Sequence, residues 1–293
     1  MYLVIGGNGY LGSYIIKSIL AKTAQKIIAT ARNIYDLSDT KRITWLQCDI
    51  SNEEEFDGVI KRVKDRDDVN VVFLAAYHHP DLVAANPQIA WDINVTDLSR
   101  CINKLGFVRK LFYASTDSVY GNSIDGYHFK ETDQLSPVNI YGHNKAAAEA
   151  IVANYGFNVV RYPFLIAPSL VRGKKHFYDY IVEDLQNGKC VEMFEDSYRS
   201  SLNFMTAADI LIDLFELKGD SPAIVNICGD SDLSKYDIGL MIADKLHVDR
   251  DMIRPIRVSD DETVFKTPRA LSTLMDNTLV KELLGMERID FVI

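Results

Sequence analysis

The stretch "YLVIGGNGYLGSYIIKSILAK", residues 2–22, joins an apolar run to a helical one through a glycine-rich turn. The run over 2–6 reads as a buried strand, and "YLGSYIIKSILAK" has the spacing of a helix. Between them stand Gly6, Gly9 and Gly12. Glycine permits a tight turn and lets a phosphate approach the helix N-terminus, where free N–H groups and the dipole favour anions. A three-glycine pattern alone is weak, and its other reading is a turn that binds nothing. Its place in a strand-turn-helix makes it a dinucleotide signal, with Gly6, Gly9, Tyr10, Leu11 and Gly12 as the expected contacts.

Outward from this unit, strands are expected over 26–30, 43–47, 69–76, 108–115 and 157–162, with helical segments between them. That alternation predicts an α/β fold, a Rossmann-type doubly wound parallel sheet whose strand carboxyl ends share one ligand-binding edge. After about residue 165 the rhythm changes to amphipathic helices such as "HFYDYIVEDLQNG", "AADILIDLFEL" and "KYDIGLMIADKL". A smaller mixed α/β C-terminal substrate lobe is placed there, giving 1–165 and 166–293, with some return of the chain to the first part. No low-complexity linker or internal repeat separates them, so they are expected to pack as one unit.

A chain of 293 residues, 47% hydrophobic and 25% charged, suits a soluble globular protein. Its net charge of −9 argues against general affinity for nucleic acid or anionic membrane, while leaving room for a local basic pocket. Cys48, Cys101, Cys190 and Cys228 show no metal spacing and read as thiols of a reducing compartment; no metal is expected. The N-terminus lacks the features of a signal peptide, and no run is long enough to span a bilayer, so a cytoplasmic protein is expected.

The end of the second strand, "IIATARN", carries Thr30, Arg32 and Asn33 and no acid until Asp36. An NAD site would usually place an acid here, whereas Arg32 suits a ribose 2′-phosphate. Arg32 can also be read as a solvated surface residue. NADP(H) is the cofactor favoured. Asp49 and Ile50 are expected near the adenine, and Leu74, Ala75 and Ala76 where backbone passes the cofactor.

"YGHNK" sets Tyr141 and Lys145 four residues apart in a helical stretch, on one face. A free tyrosine has a pKa of about 10, and a neighbouring ammonium and an oxidised nicotinamide would favour its ionised form for proton transfer. The pair can equally be an ordinary exposed one. It gains weight from "STDSVYG", 115–121, which puts hydroxyls at the end of a strand.

Together, "GGNGYLG", "LAA", "STDSVYG" and "YGHNK" resemble the extended short-chain dehydrogenase/reductases that act on nucleotide sugars. The likeness is greatest to the dTDP-4-dehydrorhamnose reductases and related 4-keto sugar-nucleotide reductases. "AAYHHPDLVAANPQIAWDIN", "LSPVNIYGHNKAAAEA" and "TPRALSTLMDNTLVKELLG" are similar to segments of that group, so the resemblance spans nearly the whole chain. The departures are Asn144 for the usual serine, His78-His79 for small polar residues, and "RSSLNFM" in the substrate lobe.

The resemblance implies that Thr116, 25 residues before Tyr141, polarises the substrate oxygen. It implies Tyr141 as acid/base, and Lys145 as the residue that holds the nicotinamide ribose and tunes Tyr141. Family dehydratases carry Thr-Asp-Glu at this strand end. Here Ser118 replaces the glutamate, which disfavours 4,6-dehydration, while Asp117 reads as either turn acid or catalyst.

Weaker candidates complete the set. His78 and His79 are substrate contacts or solvated loop residues, and Asn94 is placed to support the polar network. Arg172, Lys174 and Lys175 form a basic cluster suited to a pyrophosphate or to solvent; Arg199 and Asn203 are alternative ligands, and Arg269 has no assigned role. The expected activity is NADPH-dependent reduction of the 4-keto group of a nucleoside-diphosphate sugar, and the family expectation is a homodimer. An NAD-dependent epimerase and a non-catalytic regulatory subunit are the alternatives.

Overall fold

A computed structural model describes residues 1–219, 221–258 and 265–293. β1 (Tyr2–Ile5) is buried along its whole length, as a central parallel strand covered on both faces must be. α1 (Tyr10–Lys22) follows at once and buries Gly12, Ile15, Ile16 and Ile19 at helical spacing. β2 (Ile27–Ala31) and β3 (Ile43–Gln47) continue the sheet. α2 (Glu53–Val63) starts at Asn52, whose side chain accepts from the Glu54 and Glu55 amides, with three acids in its first turn.

Next come β4 (Asn70–Phe73), the short helices α3 (Pro80–Ala85) and α4 (Pro87–Trp91), a π-helical segment over Asp92–Asp97, and α5 (Leu98–Lys104). β5 (Lys110–Thr116), β6 (His128–Phe129), α6 (Ile140–Asn154) and β7 (Asn158–Tyr162) follow. The rest comprises β8 (Leu165–Ile166), α7 (Phe177–Gln186), β9 (Val191–Phe194), β10 (Tyr198–Arg199), β11 (Leu202–Asn203) and α8 (Phe204–Glu216). It ends with β12 (Ile224–Asn226), β13 (Leu233–Ser234), α9 (Lys235–Leu246), β14 (Ile253–Ile256), β15 (Leu274–Met275) and α10 (Thr278–Leu284).

The central sheet has seven parallel strands in the order β12-β7-β5-β4-β1-β2-β3. Winding reverses between β1 and β4, and a crevice opens there at the strands' carboxyl ends. The sequence expectation of a doubly wound sheet is met, and each anticipated strand lies within a few residues of its observed bounds. β12 was not anticipated: it lies past residue 165 yet pairs with β7 through Ile224–Val159 and Asn226–Arg161.

Two apolar layers cover the sheet. One contains α1 and α8 side chains and also takes Val280 and Ile289 from the C-terminal segment; the other holds Phe56, Val59, Leu98, Ile102 and Val152. A third cluster is built on Tyr178, Ile181, Met193, Ile238 and Ile242, all past residue 165. Among the described residues, no helix is long and apolar enough to cross a membrane.

Candidate active site

A cavity of about 750 Å³ lies over the carboxyl ends of the sheet strands, between them and the residues that follow 162. On the sheet side it is lined by Gly6, Gly9, Tyr10, Leu11, Gly12, Thr30, Arg32, Asp49, Ile50, Leu74, Ala75 and Ala76. Every residue expected at the cofactor except Asn33 is therefore on this wall. The Asn33 side chain instead accepts from the Tyr35 amide at 2.9 Å, as turn chemistry.

The glycine turn is built for close approach. A Cβ on Gly12 would lie 2.5 Å from the Gly6 carbonyl oxygen and 2.8 Å from that of Gly7, so only glycine lets α1 start against the loop. Thr30 is buried, and its hydroxyl accepts from the Gly6 amide at 3.1 Å, holding the loop from behind. No acidic side chain occupies the first turn of α1, and Gly9 caps it with backbone alone. This cradle and helix end fit a dinucleotide diphosphate.

Tyr10 ties the loop to the second lobe. Its hydroxyl donates to the Lys175 carbonyl at 2.6 Å, and its ring meets His176 edge-on with centroids 4.6 Å apart. The Lys174 ammonium sits 4.8 Å from the Tyr10 ring centre. Partial burial, with the positive charge of Arg32 adding to it, lowers the Lys174 pKa. Of the basic cluster seen in sequence, Lys174 alone lines the cavity, beside Arg32.

β5 ends at Thr116, whose hydroxyl oxygen accepts from the Ser118 amide at 3.2 Å and donates to Asp117 Oδ1 at 3.0 Å. The Ser118 hydroxyl donates to the same carboxylate oxygen at 3.3 Å. Asp117 is buried, and the Arg199 Nε lies 3.3 Å from its Oδ2, paired in charge but without an aligned hydrogen bond. Burial raises the Asp117 carboxyl pKa, opposed by Arg199 and by the two hydroxyls.

α6 presents Tyr141 and Lys145 to the same cavity. The helix is started by Asn139, which accepts from the Gly142 amide at 2.9 Å and donates to the Pro268 carbonyl at 3.0 Å. Lys145 is buried; its ammonium donates to the Ala114 carbonyl and lies 4.1 Å from the Tyr113 ring centre. Burial brings its pKa down to about 7, against a raising influence from Glu149. The Tyr141 phenol is shifted the other way by the protein's own groups. Burial and the negative charge of Asp117 both raise its pKa, so the protein alone holds it protonated.

Behind this wall lies a polar network that sequence reasoning missed. Glu149, one turn beyond Lys145, accepts from the Ser115 hydroxyl and is paired with Arg161 of β7, whose Nη2 lies 2.6 Å away. Arg161 also donates to the Tyr120 hydroxyl at 2.6 Å, and Tyr120 donates to Asn226 at 2.9 Å. A lone arginine inside an apolar strand is the only signal the sequence offered.

The remaining candidates separate clearly. His78 and His79 line the cavity; crowding by protein lowers the His78 pKa, helped by Lys174, His79 and Lys145. Asn94 clamps the Tyr77 backbone, accepting from its amide at 2.7 Å and donating to its carbonyl at 2.9 Å. Arg199 lines the cavity but is also bound to the carbonyls of Tyr198, Ala270 and Leu271. Arg269 lines it too, paired with Asp81 at 3.0 Å. Asn203 is not brought to the cavity. It caps α8 by accepting from the Met205 amide, and donates to the Val292 carbonyl. Among the described residues no group of three or more His, Cys, Asp or Glu is placed to hold a metal ion.

A family model described as the RmlD substrate binding domain matches residues 1–291. The dTDP-D-glucose 4,6-dehydratase of Mus musculus is 27% identical over 252 residues, covering 79% of this chain and 69% of its own length. Among solved structures, a UDP-glucuronic acid 4-epimerase from Bacillus cereus, in complex with UDP-glucuronic acid and NAD, is similar with a TM-score of 0.81. It is 18% identical and covers 100% of this chain and 94% of its own. A dTDP-4-dehydrorhamnose reductase from Bacillus anthracis, in complex with NADP, has a TM-score of 0.76 at 17% identity, over 99% and 94% of the two chains. One fold thus serves a dehydratase, an epimerase and a reductase.

Proposed function

The chain belongs to the RmlD substrate binding domain family, and on that footing we propose that it reduces the 4-keto group of a nucleoside-diphosphate 4-keto-6-deoxy sugar with NADPH. The observation that carries this reading is the placement of Thr116, Tyr141 and Lys145 on one cavity, with Ser118 where family dehydratases carry glutamate. A serine does not supply the base that water elimination needs.

The glycine cradle with the α1 N-terminus would hold the cofactor diphosphate, and Lys145 the nicotinamide ribose. NADPH, when bound, supplies the hydride. The Tyr141 phenol gives its proton to the oxygen that becomes the alcohol, and the Thr116 hydroxyl turns from Asp117 to donate to that oxygen. Donors set in advance toward developing negative charge account for large rate effects. A phenol held protonated by burial and by Asp117 suits reduction, which begins by needing an acid.

Arg32 and Lys174 on the cavity wall, with no acid between β2 and Asp36, support NADPH over NADH. The decisive assay follows oxidation of NADPH and NADH with a panel of 4-keto-6-deoxy sugar nucleotides, then product stereochemistry. NADPH consumption with at least one of them is expected. Inertness toward every member of the panel, or one equivalent of tightly held NAD⁺ in the purified protein, would overturn the reading.

A further inference from the structure

Lys235 is the first residue of α9 and lines the cavity on the substrate-lobe side. Its backbone is pinned by a reciprocal cap: the Asp237 amide donates to the Ser234 hydroxyl at 3.0 Å, and the Ser234 amide to the Asp237 carboxylate at 2.9 Å. That occupies the nearest acid on its own helix. Around the ammonium stand three phenylalanine rings, with centroids at 5.2 Å for Phe177, 5.7 Å for Phe164 and 5.9 Å for Phe194.

Two other cations face this end of the cavity, and both are balanced. Arg199 is paired with Asp117 and Arg269 with Asp81. No carboxylate of the described residues forms an ion pair with Lys235. Three features act against its charge. It lies in the first turn of a helix, where the dipole disfavours a cation. It is desolvated by aromatic neighbours, and it is repelled by Arg269 and Arg199; together these bring its pKa down to about 8, with burial the largest cause. The rings offset only part of this through cation–π attraction. A residue that breaks several local rules at a cavity wall marks a functional position. One bound anion relieves all three.

We propose that Lys235 is a specificity-determining cation that binds the diphosphate of the sugar nucleotide at the substrate end of the cavity. This deepens the reductase reading and rests on it for the identity of the anion. Arg199 and Arg269 are already paired within the protein, which leaves Lys235 as the cation of this end without a carboxylate partner among the described residues.

The test is calorimetric titration of the full chain with UDP and dTDP, their monophosphates, their nucleosides and NADP⁺, using the parent, Lys235→Met and Lys235→Arg. Loss of a charged hydrogen bond predicts roughly 10- to 100-fold weaker diphosphate binding in Lys235→Met. Nucleoside and NADP⁺ affinities are expected to stay within a few-fold, and Lys235→Arg to retain most of the diphosphate affinity. Without ligand, Lys235→Met is expected to melt higher than the parent, since a desolvated cation with no carboxylate partner among the described residues is gone; this also excludes misfolding as the cause of weaker binding. Parent affinity for the diphosphate should fall as pH rises through about 8, and that of Lys235→Arg should not.

Unchanged diphosphate affinity in Lys235→Met overturns the proposal. So does equal weakening of the nucleosides, which would make the cage a base pocket, or a loss centred on NADP⁺, or a parent that binds no nucleoside diphosphate. The two readings fail separately. Weakened diphosphate binding in a protein that turns over no 4-keto sugar leaves Lys235 assigned and removes the reductase. Turnover with an unchanged KM in Lys235→Met does the reverse.

Discussion

At the residue scale, Tyr141 and Lys145 share a helix face but are displaced in opposite protonation senses. Tyr141 is held as the acid, while Lys145 is brought toward neutrality by burial. Replacement Tyr141→Phe removes the proton and little volume. Turnover is expected to fall by about 10² to 10⁴, the usual worth of a positioned acid, with NADPH binding by fluorescence titration unchanged. Retained turnover would exclude Tyr141 as the donor.

Lys145 also carries a pH signature in stability. Its pKa is about 7 in the folded protein against an ordinary 10.5. Between these values the unfolded chain binds more protons, so the residue's contribution to stability rises as pH rises through the window; below about 7 its penalty is present in full. Urea melts of the parent and Lys145→Met at pH 6, 7.5 and 9 should therefore show the difference shifting steadily in the parent's favour. A pH-independent difference would contradict the depressed pKa.

Legibility in the sequence follows the same logic of local spacing. Tyr141 and Lys145 could be read because four residues make one helical turn. Thr116 could be read only through the family resemblance, since a hydroxyl ending an apolar strand serves turn chemistry equally well. Arg161, Asn139 and Lys235 could not, since each gains its partner from a different element: Glu149, Pro268 and the phenylalanine cage. Asn203 was misplaced because an asparagine before a helix is a cap as readily as a ligand, and only the fold decides.

At the element scale, α6 is the part that turns a sequence period into a site. It repeats Tyr141, Lys145 and Glu149 at four-residue intervals, so the proposed acid, the proposed ribose ligand and the buried anchor fall along one face. Its distance from the β5 end is set by Gly142, where a Cβ would lie 2.4 Å from the Ser118 carbonyl oxygen and 2.7 Å from Pro137 Cβ. Replacement Gly142→Ala must push Tyr141 away from Thr116. Since a displacement of about 1 Å can cost about 10² in rate, kcat should drop by about that factor while NADPH still binds. An unchanged kcat would mean that the separation of these two elements does not matter to the chemistry.

The anchor of α6 is open to the same kind of trial. Glu149→Gln would leave Arg161 charged in the core without its partner, a loss of about 3–5 kcal/mol by the usual behaviour of buried pairs. Denaturant melts that show less than 1 kcal/mol would place the pair outside the stability of the sheet. The main strands were visible as apolar runs, but β8, β10, β11, β13 and β15 have two residues each and leave no period to read.

At the scale of the whole molecule, residues past 165 pack back onto the first part of the chain. α8 lies against α1, β12 completes the central sheet, and Val280 and Ile289 join the core formed by Tyr2, Val4 and Ile15. Polar ties run the same way: Arg199 to Asp117, Arg269 to Asp81, and the Thr273 hydroxyl to the Gly121 carbonyl at 2.7 Å. These ties run across most of the central sheet and its covering core. Calorimetry is accordingly expected to show one transition, with calorimetric and van't Hoff enthalpies in agreement. A dinucleotide that binds the folded form at 100 times its Kd should raise the stability of that single transition by about 2.7 kcal/mol. Two transitions, only one of them shifted by NADP⁺, would instead show that the substrate lobe unfolds independently and that the shared core does not couple the two.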